Sequence, residues 1–301
     1  MTKRAGLRES RVLAGPLALL GLAVFLTGPA AAEPFSFSTG APDGKIGTLS
    51  RPASVVAIQT ETADDFILSA STTIINHATF TGLLLVGTPL TNIQQVEIEF
   101  YHVFPNDSNV ARTSGPPTFS SSQVPTRVNS PGDFEIVSAT RVSGLGGSLT
   151  FTPTLLNPSF TVLNTVVNGI IPLPNIFTGG EGPATGEEVL IDVTFTTPVV
   201  LPADHYFFRP EVLLFSQNFL WLSAPRPPQG LFTGDLQSWI RNDNLAPDWL
   251  RIGTDITHQG PFNAAFSLDG TAVPEPSTQL LLASGLAGLA GLAAWRRKKA
   301  A

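Results

Sequence analysis

Apolar and polar positions alternate with a period of two over most of the chain, the pattern of half-buried β-strands. Val96, Ile98, Phe100, His102 and Phe104 take one face of a segment whose other face carries Gln95, Glu97, Glu99 and Tyr101. Val189, Ile191, Val193 and Phe195 alternate with Glu188, Asp192 and Thr194 in the same way. Further strand-like segments are 54–59, 65–69, 73–86 (broken near His77), 134–142, 148–152 and 160–167. Later ones are 205–215, 219–224, 236–241, 249–253 and 262–268. Clusters of Pro, Gly, Ser and Asn at 105–109, 115–117, 129–132 and 225–230 punctuate them as turns. Between 33 and 272 no segment carries an apolar stripe at helical spacing. Many short strands with turn punctuation predict an all-β body, an antiparallel β-sandwich or jelly roll. Neither a fixed-period repeat nor a central linker divides it, so 33–272 is predicted as one domain. Segments 106–127 and 168–186 are poor in apolar residues and are predicted as long surface loops.

Both ends break the period. At the C-terminal end, Val273-Pro274-Glu275-Pro276-Ser277-Thr278 precedes an uncharged apolar run over 280–295 and then Arg296, Arg297, Lys298 and Lys299. The two prolines fix φ and withhold two backbone donors, so this motif is predicted extended and accessible. At about 1.5 Å per residue the run makes a helix of about 24 Å, short for a bilayer core but workable with Gln279 and snorkelling cations. The basic cluster predicts a transmembrane helix whose C-terminal end stays in the cytoplasm. At the other end, Lys3, Arg4, Arg8 and Arg11 precede an apolar run over 12–26 and the small residues Ala30, Ala31 and Ala32. That order predicts a signal peptide over 1–32, cleaved after Ala32 at an Ala-x-Ala site formed by Ala30 and Ala32. Without a twin-arginine pair ahead of the apolar run, the Sec export machinery is the expected partner.

The segment 273–301 resembles the PEP-CTERM sorting signal of Gram-negative bacteria. Pro274, Glu275 and Pro276 match its motif, the apolar run departs only in being slightly short, and Arg296–Lys299 match its basic stop. The resemblance implies recognition by the membrane enzyme exosortase, processing near the Pro-Glu-Pro motif, and delivery to the surface alongside exopolysaccharide. It covers roughly a tenth of the chain and carries no statement about the body.

Removing both ends changes the electrostatic picture. Residues 33–272 hold nine Lys and Arg against 21 Asp and Glu, a net charge near −12, with Lys45 the only lysine. Nucleic acid, which needs a basic stripe, is argued against. Cations, Ca²⁺ above all, are compatible, although the same balance also keeps an exported protein soluble. The chain has no cysteine, which excludes thiol catalysis, covalent haem and thiolate metal sites.

Candidate chemistry in the body is sparse. Ala63-Asp64-Asp65-Phe66 opens a strand and resembles a segment of β-sandwich domains on anchored, exported bacterial proteins. Asp64 and Asp65 either ligate Ca²⁺ with loop carbonyls or accept backbone N–H bonds in an Asx turn. His77, His102, His205 and His258 are never at metal-ligand spacing, and His102 on an apolar face reads as a hydrogen-bonded core residue. No G-x-S-x-G, H-E-x-x-H, P-loop or strand-following G-x-G-x-x-G occurs. Glu97 and Glu99, like Glu187 and Glu188, sit where carboxylates normally face solvent, whereas glycosidases usually take their pair from separate strands. Tryptophan gives the sharpest pattern. Gln237, Trp239 and Arg241 share one strand face, and Trp249 and Arg251 share another. Such faces suit sugar rings, or else form a Trp–Arg stack closing one end of the body. The chain is thus expected to be a non-catalytic surface or matrix protein associated with exopolysaccharide. A polysaccharide hydrolase and a ligand-free structural protein are the competing expectations.

Overall fold

Two strands far longer than any the sequence pattern marks organise the protein. The computed structural model describes residues 32–112, 121–171, 178–225 and 237–273, together with 285, 286, 288, 289 and 296. In chain order the strands are β1 (Glu33–Ser38), β2 (Ile46–Leu49), β3 (Thr60–Leu85), β4 (Ile93–Val103), β5 (Pro131–Val142), β6 (Gly146–Gly147) and β7 (Leu149–Val162). They continue with β8 (Asn164–Val166), β9 (Ala184–Leu214), β10 (Phe219–Ala224), β11 (Trp239–Asn242), β12 (Leu250–Arg251), β13 (Asn263–Ala264) and β14 (Phe266–Val273). All belong to one connected sheet whose main path runs β6-β5-β4-β9-β3-β10-β2-β8. Every pairing is antiparallel except β2 with β8.

The 26 residues of β3 and the 31 of β9 pair along their length, from Asp64↔Phe208 to Leu85↔Gly186. The register shifts between Leu68 and Thr72 and again between Ile75 and His77. Bulges of this kind bend a strand and increase its twist. On one side of the bends, β9 is flanked by β4 and the start of β3 by β11; on the other side, β9 is flanked by β7 and β3 by β14. The sheet consequently folds over on itself, and rings from strands that are not hydrogen-bonded meet in its core. Phe208 of β9 stacks on Phe266 of β14 at 5.0 Å, and Phe100 of β4 lies 6.2 Å from Phe195 in the other half of β9.

The chain is therefore all-β, as the alternation predicts, and the break near His77 falls at a register shift. Segments 188–195 and 205–215, separate in the sequence reading, are parts of one strand. Pro198 and Pro202 interrupt the pattern there, yet Val199–Pro202 still pair with Thr72–Ile75. Segment 54–59 is not a strand: Val55 and Val56 are exposed in a turn closed by the Ser54–Ala57 bridge. On the face of β4 expected to meet solvent, Glu99 and Tyr101 are buried, Tyr101 only 1% exposed, while Gln95 and Glu97 are half-buried. Tyr101 belongs to a second aromatic cluster with Ala63, Val103, Phe207, Trp239 and Trp249.

The segments expected as leader and membrane helix fall almost entirely outside the described residues, as do Ala30, Pro274, Glu275, Pro276, Arg297, Lys298 and Lys299. Gly285, Leu286, Gly288 and Leu289 are helical, and among the described residues no helix is long and apolar enough to cross a membrane.

Candidate functional site

The body's last strand leads straight into the proline motif. β14 lies between β1 and β3, and its final residue, Val273, pairs with Thr72. The Val273 carbonyl accepts a 2.8 Å hydrogen bond from the Ser71 hydroxyl. Glu33, the residue after the predicted cleavage site, pairs with Ala272, so the first and last strands of the body end side by side. β14 can lie this close to β3 because residue 270 is glycine. A methyl group there would run into the Ile74 carbonyl oxygen.

The Trp/Arg faces keep their expected register but are interior. Trp239 pairs with Arg251 across β11 and β12, and both Trp239 and Trp249 are fully buried. The Trp249 indole N–H donates to the Gly132 carbonyl at 3.2 Å, which ties it beneath the start of β5. Arg241 lies 4.3 Å above the Trp249 ring and 5.5 Å from the Tyr101 ring. Gln237 is buried and its Oε1 accepts from the Thr254 hydroxyl at 2.8 Å. Arg251 is folded back onto Asp255, with Nη2 to Oδ1 at 2.7 Å. Neither indole presents a face to a sugar in this arrangement; it is the Trp–Arg stack, built because aromatic bulk and aliphatic stems bury well together.

Beneath that stack lies an ionic network from four strands. Arg241 donates through Nε and Nη2 to both oxygens of Glu61. Arg209, itself 1% exposed, pairs with Glu99 and Glu211 and approaches Glu61 at 3.4 Å and Glu97 at 3.8 Å. The Tyr101 hydroxyl donates to Glu61 at 3.1 Å or to Glu99 at 2.5 Å. Two guanidiniums thus face four carboxylates in a setting that penalises net charge. Burial pushes Glu61 up, but Arg241 and Arg209 outweigh it and hold this carboxyl below its ordinary value. Burial, with the Glu99 contact, pushes Glu97 up to about 7. Burial pushes Glu211 to about 8 in spite of Arg209. The surplus carboxylates take up protons so that the two arginines are balanced. Sequence reading missed this network because its members are scattered from residue 61 to residue 241 and only the fold makes them neighbours.

Asp64 and Asp65 do not converge on one cation. As successive strand residues they point to opposite faces. Asp64 accepts from the Ser238 hydroxyl and the Ala264 N–H, both at 2.9 Å, while Asp65 lies 3.4 Å from His205 Nε2. Burial, reinforced by the Asp65 charge, raises the Asp64 carboxyl well above its ordinary value. Among the described residues no group of three or more His, Asp or Glu could hold a metal ion. His102 is partly exposed rather than core, and its Nδ1 lies 3.1 Å from Asp204.

Residues 272–298 match the family described as the PEP-CTERM protein-sorting motif. No curated protein and no solved structure matches the chain. The chain thus carries a PEP-CTERM sorting domain, which marks it as an exported, cell-surface-directed protein handled by exosortase at a transient membrane-anchored step.

Proposed function

We propose that the protein is a non-catalytic surface module whose body associates with exopolysaccharide in the cell-surface matrix. In this reading a leader over 1–32 directs export through the Sec machinery, and a helix over 280–295 with the stop Arg296–Lys299 holds the chain in the inner membrane until exosortase acts. The body is a sandwich-like fold of one bent sheet. The observation that carries the reading is the direct passage from β14 into the sorting segment, with β14 held on both sides by β1 and β3. A tethered or released body then keeps its fold, because processing beyond Val273 removes none of its strands. The non-catalytic part is supported by the ionic network, whose carboxylates with displaced titration are engaged by Arg209 and Arg241 inside the protein.

Native protein from the producing cells, assayed against a polysaccharide panel that includes their own matrix, tests this. Saturable binding without bond cleavage is expected, with Ca²⁺ and chelator arms reporting any metal requirement. Reducing-end release that disappears on mutating one body carboxylate would make it a hydrolase. No binding to any polymer would leave a structural surface protein.

A further inference from the structure

The bent sheet leaves a lateral opening where β5, an edge of one half, comes close to β7, an edge of the other. The connection over 143–148 closes this opening at one end: Ser148 and Thr140 exchange hydrogen bonds at 2.9 and 3.0 Å. Beside it lies a cleft of about 470 Å³, a volume typical of small-ligand sites. Arg141 and Phe151 both line it, together with Leu90 and the hydroxyl residues Thr91, Ser143 and Thr150. Arg141 reaches this position because it pairs with Val96 and shares that residue's core-facing side at the end of β5, where the core gives out. Gly146, at φ +98°, leaves room beside the guanidinium.

Charge makes Arg141 unusual. Lys45, Arg127, Arg209, Arg241 and Arg251 each pair with a carboxylate, and Arg51 is bonded to Asn218. Arg141, in a body with 21 acidic residues, has no carboxylate within ion-pair distance among the described residues. A half-buried guanidinium in one cleft with an aromatic ring and several hydroxyls is equipped for an anion that is also a polyol. An adjoining hollow of about 350 Å³ shares Thr91, Ile93 and Ser143 and adds Gln94, which extends the groove in the manner a polymer needs.

The geometry points to this cleft as a binding site for a carboxylate-bearing sugar unit of an acidic polysaccharide. Arg141 takes the carboxylate, Phe151 packs against the C–H face of the ring, and the hydroxyls of Thr91, Ser143 and Thr150 meet those of the sugar. The inference rests on the matrix reading above and names its polymer class and its site. Repulsion between a polyanion and a body near −12 acts at long range. It is screened within about 8 Å at physiological salt, so the short Arg141 contact decides.

The test is calorimetric titration of the purified full chain in detergent with hexagalacturonate and with the neutral maltohexaose, at about 0.15 M salt. Hexagalacturonate should bind saturably and more tightly than the neutral hexamer. Arg141→Gln should weaken it about tenfold or more, the loss expected for one charge-assisted contact. Phe151→Leu, which keeps apolar volume but removes the ring, should weaken both ligands. Lys45→Gln, an exposed cation elsewhere, should change nothing beyond about twofold. Unchanged binding in Arg141→Gln, or equal affinity for the neutral hexamer, overturns the site. Binding of the host matrix polymer without any hexagalacturonate binding sinks the acidic-sugar assignment and leaves matrix association standing; binding to neither sinks both. Arg141 is partly exposed and its side chain makes no ion pair with the described residues, so the Gln variant should unfold at the wild-type denaturant concentration, which confirms that a lost titration signal is a lost contact.

Discussion

The guanidinium of Arg241 lies over the indole of Trp249, 4.3 Å from the ring centroid, while its Nε and Nη2 donate to the two oxygens of Glu61. One side chain therefore joins the aromatic cluster under β11 and β12 to the ionic network on β3, β4 and β9. The cluster and the network are one energetic unit, and removing either side exposes the other.

Arg241→Met should be strongly destabilising, by about 3–5 kcal/mol, because Glu61 is left buried without its bidentate partner. Trp249→Ala should cost a similar amount, about 3–5 kcal/mol, from lost burial and the cavity left behind. Urea unfolding of the purified chain followed by tryptophan fluorescence reads both. The two losses should be less than additive, since the residues share one contact. Additive effects would separate the stack from the network.

Stability should depend on pH in a direction set by the surplus carboxylates. Burial pushes Glu97 up to about 7 and Glu211 up to about 8 in the fold, against 4.5 for an unperturbed glutamate. Their protonated forms are favoured by folding, so their contribution is complete below 4.5 and is lost as pH rises through 7 and 8. Glu61, held low by its arginines, contributes in the opposite sense, above 4.5, and loses that contribution only under more acid conditions. The urea midpoint should therefore climb as pH is lowered from 8 towards 4.5 and fall again below it. Glu211→Gln should flatten the upper part of that profile. A midpoint that rises with pH across the neutral range would show that Glu211 is ionised in the native state.

Much of this was readable in the sequence, and the rest was hidden for identifiable reasons. Alternation on Val96, Ile98 and Phe100 correctly assigns the core face of β4, because a strand exposes its periodicity directly. The opposite face was misassigned: Glu99 and Tyr101 look solvent-facing in isolation, yet both are buried, Tyr101 in the cluster with Trp239 and Trp249, and Glu97 is half-buried. Trp239 and Arg241 were placed on one face correctly, but local pattern cannot tell a covered face from an open one. The length of β9 was masked by Pro198 and Pro202, whose local meaning as breakers was overridden by pairing with β3. Arg141 drew no notice because nothing in a sequence marks a cation that ends up with no carboxylate beside it among the described residues.

Gly270→Ala should weaken the attachment of β14. The added methyl meets the Ile74 carbonyl oxygen, backbone that cannot rotate away, so β14 must shift from β3. A loss of about 1–3 kcal/mol is expected, the range for overpacking a close contact. Hydrogen exchange should rise first at Gly270–Val273 and at their partners Thr72–Ile75. Unchanged protection there would mean that the strand accommodates a side chain.

Processing gives the fourth outcome. Intact mass of the native surface form should lack 280–295, and Pro274→Ala combined with Glu275→Ala should leave that segment attached and the protein in the inner membrane. Normal processing of the double variant would remove the Pro-Glu-Pro motif from recognition.

The position of β14 also has a mechanical side. A tether attached at Val273 pulls on a strand flanked by two neighbours, with register pairs running from Glu33↔Ala272 to Ser38↔Ser267 on one flank and from Thr72↔Val273 to Phe80↔Phe266 on the other. A pull along the strand axis loads those hydrogen bonds in shear, together and not one after another. In a tethered form, drag on the chain beyond Val273 would be spread over the pairings of β14 with both β1 and β3 at once.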